Sequence, residues 1–129
     1  MGVYSKRVMR YCNDSANVGS LPEHASDVGT GVAGSEACGD IMRLQVRIRR
    51  GIVEEVRFRT YGCGSARAAS ALMARRIEGR PMAEALKVRN VDIAQELALP
   101  PVKIHCSILA EEAVRAAVAD YRSKNAGPC

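Results

Sequence analysis

The sequence has no tryptophan, one phenylalanine and four tyrosines among its 129 residues. Its core must therefore be built from Val, Ile, Leu, Met and Ala. The same scarcity argues against a surface that stacks on bases. The net charge of +5 comes mostly from arginines with no interleaved aromatics, so no nucleic-acid partner is expected. No run of about 18 apolar residues exists to cross a membrane. The opening stretch MGVYSKRVMR lacks the apolar segment of a secretory signal, so no membrane is expected and a cytoplasmic location is. No CxxC pair is present, which removes the usual zinc-finger spacing. The five cysteines are an odd number. Without a secretory context they are not expected to form a disulfide framework. The length suits one domain, residues 1–129, with one modest core.

The chain falls into two halves. Residues 3–11 read as a short helix, and residues 12–37 are rich in Asn, Asp, Ser, Gly and Ala. We expect residues 1–26 to be mobile, followed by a short edge strand over Asp27–Val32. Then Met42, Leu44, Val46 and Ile48 alternate with Arg43, Gln45, Arg47 and Arg49. That period of two marks a half-buried strand. Arg50-Gly51 forms the turn, and Val56 and Phe58 resume the alternation against Arg57 and Arg59, which predicts a hairpin. Ser65 is the expected N-cap of a helix from Ala66 to Glu78, stopped by Gly79. Pro81 opens a short helix, and Asn90 caps another over Val91–Leu97. Pro100 and Pro101 predict an extended stretch. Ser107 is the expected cap of a long helix from Ile108 to Arg122, with residues 123–129 fraying. Strands followed by helices predict an α+β domain: a small antiparallel sheet of about three strands, packed on one side by helices, with a long C-terminal helix and a mobile N-terminal segment.

Three cysteines stand out by place. Cys38 lies in a loop beside Gly39 and Asp40, Cys63 sits between two glycines before a helix, and Cys106 follows His105 before another helix. None is expected on an apolar face. A helix N-terminus favours a thiolate, which applies to Cys63 and Cys106. Glycines let backbone amides approach a sulfur-bound centre. Cys38, Asp40, Cys63, His105 and Cys106 combine soft thiolates, an imidazole and a carboxylate, suited to zinc or an iron–sulfur cluster. Spacing alone leaves structural thiols and a metal-independent reactive cysteine open. Cys12, Cys129 and His24 read as incidental. The strand arginines (Arg43, Arg47, Arg49, Arg57, Arg59) are either a docking face for an acidic partner or a solvated face.

The segments DVGTGVAGSEACGDIMRLQV, RFRTYGCGSARAASAL and LPPVKIHCSILAEEAVRAAVADY resemble the iron–sulfur cluster assembly scaffold family, of the IscU and NifU N-terminal type. The resemblance runs from about Tyr4 to Lys124. It implies a scaffold and sulfur acceptor rather than a conventional enzyme. A transient [2Fe-2S] cluster would be built on Cys38, Cys63 and Cys106, with Asp40 and His105 close by, from iron and persulfide sulfur. Cys106 would accept the persulfide from a pyridoxal-phosphate cysteine desulfurase. The implied partners are that desulfurase, a ferredoxin-type electron donor, a frataxin-like protein, an Hsp70-type chaperone with its J-type co-chaperone, and recipient apo-proteins. Leu99, Pro100, Pro101, Val102 and Lys103 match the chaperone-recognition stretch, and Tyr4 matches a tyrosine linked to dimer formation and maturation. A monomer or weak homo-oligomer is expected. Zinc is an alternative occupant. The competing reading within the family is a SufU-like zinc-dependent sulfurtransferase partner of the desulfurase. That branch typically carries a mid-chain insertion and lacks the histidine and the chaperone stretch.

Overall fold

The computed structural model describes residues 5–35, 37 and 39–126. Three strands, β1 (Val28–Ser35), β2 (Asp40–Arg49) and β3 (Ile52–Tyr61), form an antiparallel sheet in the order β1-β2-β3. Among the described residues five α-helices accompany it: α1 (Lys6–Cys12), α2 (Gly64–Ile77), α3 (Met82–Ala85), α4 (Asn90–Leu97) and α5 (Ile104–Lys124). The α+β expectation holds. The apolar set of β2, Met42, Leu44, Val46 and Ile48, is fully buried. It lies under α5 and α2, whose alanines and Val114, Val118, Leu72 and Met73 complete the core. Small side chains let these helices sit close to the sheet, replacing the absent aromatic bulk.

The alternation predicts Gln45 on an open face, yet Gln45 is buried. Residues 17–21 roof it. Leu21 donates its N–H to Gln45 Oε1 at 2.7 Å, and Gln45 Nε2 donates to the Leu21 carbonyl at 3.1 Å. Asn17 and Gly19 extend the same roof along the free edge of β3 through backbone bonds to Phe58. An unpaired edge is thereby covered. The strand β1 is longer than expected and reaches Ser35, opposite Asp40.

Helix starts differ from the sequence expectation in a way that matters for the site. Helix α5 begins at Ile104, not after Ser107. Pro101 opens a short 3-10 turn, Pro101–Lys103, that runs straight into it. A proline at a first helical position sacrifices no hydrogen bond, so the double proline starts a helix rather than holding an extended strip. Pro100 keeps the extended conformation, at φ −69° and ψ 157°. Ser107 lies inside the first turn, its hydroxyl donating to the Ile104 carbonyl at 2.6 Å. Likewise α2 starts at Gly64 with Cys63, not Ser65, at the cap. Helix α4 starts at Asn90, with the Arg89 N–H donating to the Asp92 carboxylate at 2.9 Å.

The first and last described segments are seated on the body. Ser5 Oγ donates to the Leu97 carbonyl at 2.6 Å, Tyr11 to Glu96 at 3.2 Å, and Val8 is buried. At the other end Lys124 Nζ donates to the carbonyls of Glu23 and Val28 at 2.5 and 2.7 Å. Asn125 Nδ2 donates to the Ser26 carbonyl at 2.8 Å. The basic strand face is largely neutralised within the chain. Arg43 meets Glu23, Arg47 meets Glu55 at 2.6 Å, Arg49 meets Asp27 at 2.9 Å and Arg57 meets Glu55 and Glu78. This pairing weakens the docking alternative for that face.

Candidate metal and sulfur site

The start of β2, the loop after β3 and the start of α5 converge at one end of the sheet. Asp40 is the first residue of β2, Cys63 caps α2, and His105 and Cys106 open α5. The antiparallel register brings this about: Ile41 stands opposite Tyr61, so the β3–α2 loop lies against Asp40. One carboxylate organises the group. Asp40 Oδ1 accepts the Cys63 backbone N–H at 2.9 Å, and Oδ2 accepts from His105 Nε2 at 2.9 Å. Burial pushes the Asp40 carboxyl up, but the hydrogen bonds from His105 and Cys63 outweigh it and hold the group below its ordinary value. Asp40 is therefore ionised at neutral pH. Since a carboxylate only accepts, the proton of the His105 bond sits on Nε2.

The sulfurs complete the set. Cys63 Sγ and Cys106 Sγ are 3.7 Å apart, and Cys106 Sγ lies 3.6 Å from His105 Nε2. Ligand atoms of Asp40, Cys63 and Cys106 all lie within 4.8 Å of one another. Two thiolates on one tetrahedral ion, each at about 2.3 Å, stand about 3.8 Å apart. The sulfurs are thus spaced for a shared tetrahedral metal, with the carboxylate in reach. His105 is set apart by its bond: the nitrogen that faces Cys106 is the one tied to Asp40. For His105 Nε2 to ligate, that bond must open.

Two expectations need correction. Cys106 was expected off any apolar face, with a thiolate favoured by its helix terminus. It is instead fully buried within the core cluster. Burial, and then the neighbouring Cys63, push the Cys106 thiol well above the ordinary range. Desolvation of the thiolate outweighs the helix terminus here, so the free site holds Cys106 protonated. In the metal-free protein at pH 7–8, Cys106 should therefore alkylate at least about tenfold more slowly than the half-buried Cys63 and Cys12. Peptide mapping after timed iodoacetamide treatment reads this out, and equal rates would contradict the burial. The second correction concerns Ser65, expected as a cap. Its hydroxyl is buried and has no hydrogen-bond partner among the described residues.

Cys38 and Tyr4 lie outside the described residues. Of the Leu99–Lys103 stretch, Leu99 is buried and Val102 is 75% exposed. Gly62 has a different role from the one the sequence suggested. At φ +148°, it has no room for a side chain: a Cβ there would fall 1.9 Å from Asp40 Oδ1. The glycine was read as admitting backbone to a metal centre, whereas it admits the carboxylate.

A family description, the NifU-like N terminal domain, matches residues 3–127. The chain belongs to this family. It is 52% identical over 122 residues to the iron-sulfur cluster assembly scaffold protein IscU of Escherichia coli (strain K12), covering 94% of this chain and 95% of that protein. The same identity and coverage hold for the protein of that name from Azotobacter vinelandii. Among solved structures, a putative iron-sulfur cluster assembly scaffold protein for the SUF system from Fervidobacterium islandicum AW-1 superposes with a TM-score of 0.76. It covers 90% of this chain and 96% of that one at 20% identity, which speaks for the fold alone. Within the NifU-like family, then, the converging Asp40, Cys63 and Cys106 sit on a fold shared across the SUF-system structure. No described helix is long and apolar enough to cross a membrane.

Proposed function

We propose that this protein is a scaffold on which a [2Fe-2S] cluster is assembled as cargo and from which it is handed to apo-proteins. The observation that carries the reading is the pair of thiols 3.7 Å apart beside the ionised Asp40. The relatives named as scaffolds support it. Cys63, Cys106 and Asp40, joined by Cys38, would hold the cluster, and Asp40 and His105 would exchange places as the weaker ligand. Thiolates bind iron firmly, whereas a carboxylate is a harder and poorer partner for it. Such a mixed set suits cargo that must leave.

Sulfur would arrive as a persulfide on Cys106 from a pyridoxal-phosphate cysteine desulfurase. A ferredoxin would supply electrons, and a frataxin-like protein would tune the rate. The protein itself performs no turnover of a free substrate in this reading. Leu99–Lys103 would be the segment an Hsp70-type chaperone grips, with its J-type partner. Val102 already projects from it, and Leu99 must leave the core to be read. Tyr4 would contribute to pairing of two chains. Zinc fits the same tetrahedral spacing and would compete with iron.

The test is transfer. The reconstituted protein, mixed with an apo-ferredoxin, should pass its cluster on, followed by the recipient's circular dichroism. A protein that instead keeps stoichiometric zinc, forms no cluster and still accelerates the desulfurase would be a zinc-dependent sulfur acceptor.

A further inference from the structure

The two sulfurs that would share a metal are also placed to react with each other. Cys63 Sγ and Cys106 Sγ are in van der Waals contact at 3.7 Å. A disulfide needs about 2.05 Å. Cys63, the cap residue of α2 between Gly62 and Gly64, is half-buried, so its sulfur is the more accessible of the two. Cys106 is fixed in the first turn of α5 and fully buried, so it is the anchored partner.

From this contact we propose that Cys63 is a resolving thiol for a persulfide carried on Cys106. The inference rests on the reading of Cys106 as persulfide acceptor. The Cys63 thiolate attacks the inner sulfur, Cys106 Sγ, the atom it already touches. A bond forms between Cys63 Sγ and Cys106 Sγ, the bond from Cys106 Sγ to the terminal sulfur breaks, and hydrosulfide leaves with its own hydrogen. The departing sulfane sulfur gains two electrons, supplied by the two cysteine sulfurs as they become a disulfide. Attack on the terminal sulfur would instead move the persulfide to Cys63 and release nothing. The contact with Sγ favours the first course. When iron is absent, the chain thus frees sulfide with no external electron donor, and then stands closed: both thiols are consumed until a dithiol reductant reopens them.

The experiment uses the full chain, free of metal, with cysteine and a desulfurase but no iron and no reductant. After removal of small molecules, intact mass and released sulfide are followed together. The wild type should first appear about 32 Da heavier, then about 2 Da lighter than the reduced chain, with sulfide released in step. Peptide mapping should join Cys63 to Cys106. In Cys63→Ser the heavier species should persist at least about tenfold longer. The proposal is overturned if the wild type stays heavy as long as Cys63→Ser, or if the disulfide maps to another pair. If no chain ever gains the extra sulfur, the acceptor reading of Cys106 fails and takes this step with it.

Discussion

Gly31→Ala should cost at least about 3 kcal/mol of stability, and Gly29→Ala a similar amount, against a total of about 5–15 kcal/mol for a domain of this size. A Cβ at Gly31 would lie 2.3 Å from the Ala113 carbonyl oxygen and 2.4 Å from the Ala117 nitrogen. At Gly29 it would lie 2.0 Å from the Ala117 oxygen. These are backbone atoms of α5, which cannot rotate aside as a side chain would. Strand β1 can pack on α5 only because it is bare at these two places. Displacing β1 also disturbs the site, since its last residue Ser35 pairs with Asp40. Gly51→Ala is the control: it has a positive φ of +74° but open space around it. It should lose only about 1–2 kcal/mol, the strain of left-handed backbone. Urea unfolding midpoints make the comparison. A Gly31→Ala protein no less stable than Gly51→Ala would show that β1 and α5 are not in this contact.

Asp40→Ala should hold an assembled cluster at least about tenfold longer than the wild type in the presence of an apo-ferredoxin. The carboxylate is the poorest ligand for iron in the group, and it also occupies His105 Nε2. Removing it does two things at once. It deletes the weak ligand, and it frees an imidazole nitrogen that already stands 3.6 Å from Cys106 Sγ. Both changes favour retention. The decay of the cluster's visible absorption measures it. Release as fast as from the wild type would mean that lability arises elsewhere than at Asp40.

Much of this was legible in the sequence because each signal was local. The alternation in β2, the Arg50-Gly51 turn and the apolar stripe of α5 each follow from a period and a few punctuating residues. The gathering of Asp40, Cys63, His105 and Cys106 was legible from residue type and loop position. What could not be read was whatever depends on contacts distant in sequence. Gln45 fits the polar half of an alternating strand, and only the return of residues 17–21 buries it. The burial of Cys106 depends on how α5 meets α2, and it reverses the expected effect of the helix terminus. The double proline was read as extended, and that reading failed over Pro101–Lys103: a residue that breaks a helix interior can also open a helix, and here it opens a 3-10 turn. Gly62 was read as opening room for backbone amides, and nothing local in the sequence shows that Asp40 is what it accommodates.

The most direct test of the central claim is the visible absorption spectrum after anaerobic incubation with ferrous iron, cysteine, a reductant and a cysteine desulfurase. The wild type should develop a cluster chromophore and Cys63→Ala should not, both remaining folded by far-ultraviolet circular dichroism. An equal chromophore on Cys63→Ala, or none on the wild type, would contradict a cluster held between Cys63 and Cys106.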